Sequence, residues 1–396
     1  MRRSDWELMA PAGSEEALSA AIEGGADSVY FGVGRLNMRA HAAGNFRADD
    51  LPRVMDRCRA AGVKGYLTVN TVLYDEELAE MKALMTTAAK ARVSAVIASD
   101  MAAVLAAREV GLPVHLSTQL NISNTEALAF YAQYAETAVR DKPILGTGGE
   151  AMRLEMFCHG ALCMGMSGRC WMSLHTRGKS ANRGECLQNC RRTYNLVDRE
   201  RGTELELENG YVLSPKDLKT IDFLDKMTAA GVTVFKIEGR ARGADYVRTV
   251  TTCYDEALKA IADGTYDAKR RAWDDRLATV FNRGFWAGHY LGAETAEIVH
   301  SYGSCATEKK VFVGRLVNYF AKAHVAQAEI LAGTVKLGEK LLVTGPTTGA
   351  VYAEPECLMD DAGTVTEASR GMRVTFKVPE TVRAGDKLYR LEQAER

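Results

Sequence analysis

Residues 7–32 read ELMAPAGSEEALSAAIEGGADSVYFG, and this stretch predicts a strand, a helix and a second strand. The apolar run Trp6–Ala10 predicts the first strand, and the Pro-Ala-Gly sequence after it predicts a turn. A helix is expected from Ser14, a residue type that favours the N-cap, to the residue before Gly24. Ser28–Gly32 (SVYFG) predicts the second strand, so the stretch is a βαβ unit.

The same alternation continues to residue 238. Short apolar strands alternate with helices that end in glycine, which is typical of parallel strands joined by crossover helices. Roughly seven or eight such units in about 240 residues favour a closed barrel over an open doubly wound sheet. No G-x-G-x-x-G follows the first strand, which weakens a dinucleotide-binding interpretation. We therefore expect an α/β fold in which a TIM-like (β/α)8 barrel occupies residues 1–270 and carries a cysteine-rich insertion at 158–192. The further expected elements are strands at Lys64–Asn70, Val93–Ser99, Val114–Thr118, Arg153–His159 and Thr233–Glu238, and helices at Asp50–Ala61, Glu76–Ala91, Met101–Val110, Thr125–Tyr134 and Leu218–Ala230.

Charged and polar residues near the ends of the expected strands form the first group of candidate site residues. Active sites of such barrels lie at the carboxyl ends of the strands. A charged group there needs a ligand or a partner, although many such residues simply cap helices or fill the barrel. The candidate catalytic residues are Arg39, His115, His159, Lys236, Glu238 and Arg240.

The last part of the chain has a different pattern. Residues 308–396 contain short alternating runs such as VFVGRLV, AHVAQAEI and RVTFKV, separated by turns with Gly or Pro. Alternation without helical periodicity predicts an all-β domain, here a small closed barrel. Residues 271–307, which carry several aromatic residues among glycines, are expected to connect the two domains.

The composition excludes several classes of protein. The 396 residues are 47% hydrophobic with a formal net charge of -1, which excludes a globally basic nucleic-acid coat protein but allows a local basic patch. The N-terminus has no apolar stretch suited to a signal peptide, and no run reaches the ~18 apolar residues of a membrane span. We therefore expect a cytoplasmic protein without a membrane partner, in which thiols stay reduced.

Four cysteines follow the spacing C-x6-C-x15-C-x3-C at Cys163, Cys170, Cys186 and Cys190. The odd total of nine cysteines argues against a complete disulfide framework. Four thiolates in one loop-rich segment suit either a 4Fe–4S cluster or a tetrahedral zinc ion. Structural zinc sites usually use two close cysteine pairs, and only the second pair is close here, which favours the cluster. Zinc and simply reduced thiols are the alternatives, and Cys158, on an apolar strand, is expected to be packed.

The same segment is basic. Positive charge near a thiolate cluster stabilises it and would also attract phosphates. A solvated charged loop is the alternative interpretation. The candidate RNA-binding residues are Arg169, Arg177, Lys179, Arg183, Arg191 and Arg192, which are accompanied only by Glu185.

Four stretches of the chain resemble the collagenase-like peptidase family U-32. They are the opening stretch 7–32, MRAHAAGNF at 38–46, FCHGALCMGMSGRC…ANRGECLQNCRRTY at 157–194, and VFKIEGRARGADYV at 234–247. The resemblance implies a TIM-like barrel. It also implies that Cys163, Cys170 and Cys186 hold a 4Fe–4S cluster, with Cys190 as the fourth ligand in some branches of the family. The stretch between Tyr131 and Arg153 is shorter than the family pattern, so one barrel unit is expected to be reduced.

The sequence is compatible with three candidate functions. The resemblance implies an iron–sulfur-dependent RNA hydroxylation factor acting on tRNA rather than rRNA, which forms 5-hydroxyuridine at the wobble position with prephenate as a co-substrate. The C-terminal runs also resemble the second-domain barrel of translational elongation factors, and such barrels commonly contact tRNA. A collagenase-like peptidase is the alternative, with Cys163 and His159 as the local nucleophile–base pair, but neither G-x-S-x-G nor H-E-x-x-H occurs. The second alternative is a non-catalytic RNA-binding protein. The electron donor, the oxygen source and the oligomeric state stay open.

Overall fold

The structure, a computed structural model, describes residues 2–41, 44–135, 137–138, 152–205 and 209–394. Short strands and helices alternate through the first part of the chain. Twelve of the described strands precede residue 300: β1 (Glu7–Pro11), β2 (Ser28–Gly32), β3 (Lys64–Val69), β4 (Ala95–Ala98), β5 (Val114–Leu116), β6 (Thr137–Ala138), β7 (Arg153–Gly160), β8 (Leu196–Val197), β9 (Glu204–Leu205), β10 (Asp217–Lys219), β11 (Val234–Ile237) and β12 (Phe285–Trp286).

The helices of the described residues follow these strands. None of them combines the length and the apolar composition needed to cross a bilayer. Their bounds are α1 (Glu15–Glu23), α2 (Leu51–Ala60), α3 (Leu78–Lys90), α4 (Met101–Glu109), α5 (Thr125–Ala132), α6 (Met172–Arg177), α7 (Leu224–Ala229), α8 (Ala244–Asp263) and α9 (Tyr266–Thr279).

Eight of the strands form a closed parallel barrel. β1 to β7 pair in sequence order, β11 pairs with β1, and β7 pairs with β11, which closes the ring. The helices α1 to α5 each follow one of the strands β1 to β5 in the chain. The predicted TIM-like barrel is confirmed. The reduced unit expected between Tyr131 and Arg153 lies largely outside the described residues.

The first βαβ unit forms as its sequence predicts. Ser14 Oγ accepts a hydrogen bond from the backbone N–H of Ala17, and Gly24 is the C-cap of α1. Between β1 and α1, the chain passes close to the segment that follows β11. A Cβ atom at Gly13 would lie 1.7 Å from the backbone oxygen of Arg240, so only glycine permits this approach.

The expected helix at Leu218–Ala230 is wrong in its first part. The structure has β10 there, antiparallel to the last residues of β7, and the helix α7 begins only at Leu224. Because β7 runs on past the barrel, its backbone groups take β10 as a partner, and Thr220 N–H also donates to the Cys158 carbonyl at 3.1 Å. Tertiary strand pairing therefore overrides the local helical pattern.

The C-terminal part of the chain is an antiparallel β domain. Its strands are β13 (Glu308–Phe320), β14 (Val325–Ile330), β15 (Thr334–Lys336), β16 (Leu341–Gly345), β17 (Gly349–Ala353), β18 (Leu358–Asp360), β19 (Gly363–Val365), β20 (Glu367–Ser369), β21 (Arg373–Lys377) and β22 (Lys387–Gln393). The main sheet has the order β17-β16-β22-β13-β14-β21-β18-β19, and β15 pairs with β20. In β14 the side chains of Ala326, Ala328 and Ile330 are buried and alternate with more accessible ones, as the predicted period of two requires. The all-β class is confirmed.

The two parts pack against each other through α1, α8 and β17. Ser19 Oγ donates to the Pro346 carbonyl at 2.7 Å, and Arg248 pairs with Glu23 and Glu380, each at 3.0 Å. The helix α9 extends across residue 270, the predicted end of the first domain. The division into three segments stays a prediction.

A buried carboxylate, that of Glu7, lies at the amino end of the barrel. Glu7 Oε2 pairs with Arg153 at 2.6 Å and Lys64 at 2.9 Å, and Tyr66 donates its hydroxyl to Glu7 Oε1 at 2.7 Å. Burial acts to raise the pKa of Glu7, but Arg153 and Lys64 outweigh it and hold that pKa at about 2.

We expect Glu7→Gln to lower the free energy of unfolding by about 3 kcal/mol at pH 7, because two cations lose their carboxylate. A carboxyl whose pKa is about 2 when folded and 4.5 when unfolded stabilises the fold above pH 4.5, and this contribution is lost as the pH falls toward 2. The difference between wild type and variant should therefore shrink by about 1 kcal/mol between pH 7 and pH 3.5 in urea unfolding curves. Exposed Glu76→Gln is the control, and an equal loss in both variants would contradict the account.

Candidate functional site

The segment that carries the four cysteines, residues 161–192, packs onto the loops that follow the barrel strands. Gln119 donates to Ser167 Oγ at 3.0 Å, and Val72 N–H donates to the Asn182 carbonyl at 3.2 Å. Gly184 lies so close to the loop after β2 that a Cβ atom there would be 2.3 Å from the Asn37 carbonyl oxygen. The loops after β2, β3 and β5 therefore hold this cysteine segment at the carboxyl end of the barrel.

Hydrogen bonds within the cysteine segment bring its ends together. Arg191 Nη2 donates to the Leu162 carbonyl at 2.7 Å, which joins the chain beside Cys190 to the chain beside Cys163. Asn189 Nδ2 donates to the Met172 carbonyl at 3.3 Å and to Thr176 Oγ1 at 2.6 Å. These bonds fix the last cysteine pair against α6, which begins just after Cys170.

The four thiols act on one another electrostatically. Partial desolvation raises the pKa of Cys163, and the thiolates of Cys186 and Cys170 raise it further. Desolvation likewise raises the pKa of Cys190, with contributions from all three other cysteines. Among the described residues no three Cys, His, Asp or Glu side chains are already drawn together into a metal site. The donor set is nevertheless chemically complete for a cluster or a zinc ion, because one segment carries four free thiols and none of them is fully buried.

The barrel mouth next to this segment contains an ion pair. Arg39 Nη2 lies 2.7 Å from Glu238 Oε1, and Tyr30 donates its hydroxyl to Glu238 Oε2 at 3.2 Å. Burial acts to raise the pKa of Glu238, but Arg39 and Arg240 keep it below the ordinary value. Because Cys186 also contributes to raising the pKa of Arg39, the ion pair lies within electrostatic reach of the thiols.

Arg240 is a buried arginine, 5% exposed, and in the described residues it forms no ion pair. Its Nη1 donates to Asn37 Oδ1 at 3.0 Å and to Thr68 Oγ1 at 2.8 Å, both neutral acceptors. Its Nε has no hydrogen-bond partner among the described residues, and burial lowers the pKa of Arg240 to about 10. A buried guanidinium with a spare donor suits a small anionic ligand.

His115 and Lys236 lie in the barrel interior rather than at its rim. Lys236 Nζ pairs with Glu155 Oε1 at 2.7 Å, and His115 Nδ1 is 3.9 Å from the other oxygen of Glu155. Burial lowers the pKa of His115 to about 4, so the imidazole is neutral near pH 7. The Tyr30 ring, 4.7 Å from Lys236 Nζ, lies between this interior group and the mouth ion pair.

His159 lies on the other side of β7, against α8. Its Nδ1 is 3.3 Å from the Tyr254 hydroxyl, and its ring also contacts Tyr246 and Phe285. Burial lowers its pKa to about 3. The structure thus places His159 in an aromatic packing layer, whereas Arg39, Glu238 and Arg240 meet at the mouth.

The six basic residues of the cysteine segment fall into two groups. Arg183 pairs with Glu77 and stacks on the Tyr74 ring at 4.6 Å, while Arg191 is tied to backbone carbonyls and Ser214. Lys179 is exposed and pairs with Glu185 at 3.1 Å. The remaining three are exposed and form no ion pair in the described part of the chain: Arg169, Arg177 and Arg192.

The partners that position these groups are not among the residues predicted from the sequence. Glu155 is the clearest case, because it holds Lys236 and faces His115. Its place two residues before Phe157 on an apolar strand, which puts both on one face, was the available signal. Asn37 and Thr68 carry no such signal, since they contact Arg240 only through the closed barrel.

Comparisons with known proteins address the family. The model of Peptidase family U32 matches residues 13–300. A protein of Porphyromonas gingivalis (strain W83) named Collagenase is 52% identical, with both chains covered completely. In solved structures, the U32 Peptidase Mk0906 is 13% identical with a TM-score of 0.37, over 59% of this chain and 93% of that one.

Other relatives have names that refer to RNA. The tRNA hydroxylation protein P1 of Bacillus subtilis (strain 168) is 29% identical over 92% of this chain and 89% of its own length. The 23S rRNA 5-hydroxycytidine C2501 synthase of Escherichia coli (strain K12) is 33% identical over 67% of this chain but 41% of its own length. The family model covers most of the chain and the Porphyromonas relative all of it, so this protein belongs to peptidase family U32.

Proposed function

We propose that this protein is an iron–sulfur-dependent RNA hydroxylation protein that acts on tRNA and forms 5-hydroxyuridine at the wobble position. The observation that carries the proposal is that four free cysteines lie on one segment at the carboxyl end of the barrel, within electrostatic reach of one another and of Arg39. The names of the Bacillus and Escherichia relatives support the choice of RNA as substrate. A protein acting on tRNA would work in the cytoplasm, where thiols stay reduced.

The cluster would be held by Cys163, Cys170, Cys186 and Cys190. If water supplies the oxygen, replacing a C–H bond by a C–OH bond releases two electrons and two protons. We propose an oxidised external redox protein as the electron acceptor, and a bound 4Fe–4S cluster would pass the electrons to it one at a time. Arg39 lies near the thiols and contributes positive charge that favours their anionic form. Zinc is the alternative metal for the same donor set.

The mouth residues would bind and orient an organic acid that serves as co-substrate. Arg240 offers a buried guanidinium whose Nε is unpartnered, and Asn37 and Thr68 fix its position. A planar guanidinium binds a carboxylate through two parallel hydrogen bonds. Prephenate, a dicarboxylate, is the co-substrate that we propose for this place.

The exposed arginines of the cysteine segment would bind the RNA backbone. Arg169, Arg177 and Arg192 have no carboxylate partner in the described residues, which leaves their charge available to phosphates. A wobble uridine lies in a single-stranded loop, so its base can leave the stack at little cost and enter the mouth.

Mass spectrometry of nucleosides tests the proposal. Total tRNA and rRNA are compared between a strain that carries the gene, its deletion strain, and the deletion strain complemented with the gene. We expect 5-hydroxyuridine in tRNA to disappear on deletion and to return on complementation. An unchanged level of 5-hydroxyuridine would overturn the proposal. A loss of 5-hydroxycytidine in rRNA alone would show that the substrate is rRNA instead of tRNA. RNA binding with no modified nucleoside would favour the non-catalytic alternative.

Peptidase activity is the second candidate, and the name of the 52% identical Porphyromonas relative favours it. The proposed nucleophile Cys163 is exposed, but His159 is 1% exposed and is directed at Tyr254. A general base must reach the proton that it removes. Cleavage of gelatin by the purified protein that is lost in Cys163→Ala would favour the peptidase over the hydroxylation protein.

A further inference from the structure

A pocket of about 450 Å³ lies between the cysteine segment and the residues that follow α9. Cys186 lies on its wall, so the pocket adjoins the four thiols, but the residues opposite belong to the stretch 281–303. None of the roles proposed above uses that stretch.

The pocket is positively charged. Arg191, Arg192 and Arg283 line it, and its wall contains no Asp or Glu among the described residues. Arg283 Nη1 lies 3.4 Å from Oδ1 of Asp217, a carboxylate that does not line the pocket. Three guanidinium groups therefore face one cavity whose described wall offers them no carboxylate. An anion in the pocket would offset their mutual repulsion.

The same pocket has aromatic walls. Tyr302 is 81% exposed, an unusual fraction for a large aromatic side chain, and it lines the pocket together with Tyr211 and Phe281. The Phe281 ring is stacked by Arg242 at 3.6 Å and by Arg283 at 5.1 Å. Exposed rings beside arginines are the arrangement that binds a base and its phosphate in single-stranded nucleic acids.

We infer that this pocket binds one nucleotide of single-stranded RNA, with the base stacked on Tyr302 and the phosphate held by Arg192 and Arg283. The inference rests on the proposed function, because it names the place where the RNA next to the reacting base is held. Since Cys186 is on the pocket wall, a nucleotide bound there would bring its neighbours in the strand to the barrel mouth.

Fluorescence anisotropy with the full chain tests the inference. The probe is a fluorescein-labelled single-stranded RNA of about 15 nucleotides, and the same RNA annealed to its complement. Loss of a stacked base should make Tyr302→Ala bind the single strand about tenfold more weakly, without a change in salt dependence. Loss of one phosphate contact should reduce the slope of log affinity against log salt by about 0.7 in Arg192→Gln. Tyr302→Ala should not affect the duplex, whose base faces are hidden.

Matched controls are Phe130→Ala, another exposed aromatic side chain, and Arg370→Gln, an exposed arginine of the β domain. Both should bind like the wild type. Wild-type affinity in Tyr302→Ala together with a wild-type salt slope in Arg192→Gln would overturn the inference, as would equal weakening by the control variants. If the deletion strain lacks 5-hydroxyuridine while both pocket variants bind normally, only the pocket is wrong. If the pocket variants weaken binding while 5-hydroxyuridine persists on deletion, only the proposed function is wrong.

Discussion

Cys186→Ser is expected to lower the iron content of the anaerobically purified protein to near zero and to reduce RNA hydroxylation by roughly 100-fold or more. Each thiolate in a four-cysteine site supplies one metal–sulfur bond, and hydroxyl oxygen is a poor replacement for it. Cys163→Ser, Cys170→Ser and Cys190→Ser should have the same effect, because each is a proposed ligand of the same cluster and the thiols lie within electrostatic reach of one another. The measurement is iron and acid-labile sulfide per chain, together with 5-hydroxyuridine in the complemented deletion strain.

Cys357→Ser is the matched control, since Cys357 is also an exposed free thiol but lies in the β domain. It should keep the iron, the sulfide and the activity of the wild type. Circular dichroism shows whether each variant still folds. A folded Cys186→Ser that retains both full iron content and full activity would contradict the assignment of this cysteine.

Arg240→Gln is expected to weaken the binding of the anionic co-substrate by about 50-fold, because a charged hydrogen bond in a buried site contributes about 2–3 kcal/mol. Glutamine keeps the aliphatic part of the side chain but ends where Nε lies, so the charge and the Nη1 bonds to Asn37 and Thr68 are both lost. The measurement is titration calorimetry of prephenate binding to the purified protein. Iron content should be unchanged, which separates this effect from loss of the cluster.

The control for this variant is Arg270→Gln, on α9, whose guanidinium pairs with Asp267 at the surface. It should bind prephenate as the wild type does. If Arg240→Gln also binds prephenate with wild-type affinity, the small-anion site is not at Arg240. Loss of binding in Arg39→Gln alone would move the site to the Arg39–Glu238 pair.

Much of the barrel could be predicted because its signals are local. Ser14 and Gly24 mark the ends of α1, and the apolar runs mark strands such as Ser28–Gly32. The error at Leu218–Ala230 has a non-local cause, since β10 forms by pairing with β7 on one side and with β12 on the other. The residues adjacent in sequence do not indicate such strand pairing.

The candidate site could be predicted in its residue types but not in its arrangement. Cysteine spacing pointed to one group, yet the bonds that gather it, such as Arg191 to the Leu162 carbonyl, depend on the folded segment. The strand-end pattern also put His115 and His159 among the candidate catalytic residues together with Arg240. The direction in which each side chain leaves its strand decides whether it lies in the barrel interior, against α8 or at the mouth.

The central claim is that four sulfur atoms of this chain share one inorganic cluster. Metal and sulfide analysis of the wild-type protein, purified without oxygen and accompanied by Mössbauer spectroscopy of the iron-57-enriched form, tests it most directly. The account predicts about four iron and four sulfide ions per chain, with the spectrum of a single 4Fe–4S cluster. One zinc ion per chain with no sulfide, or a fully active protein without metal, would contradict it.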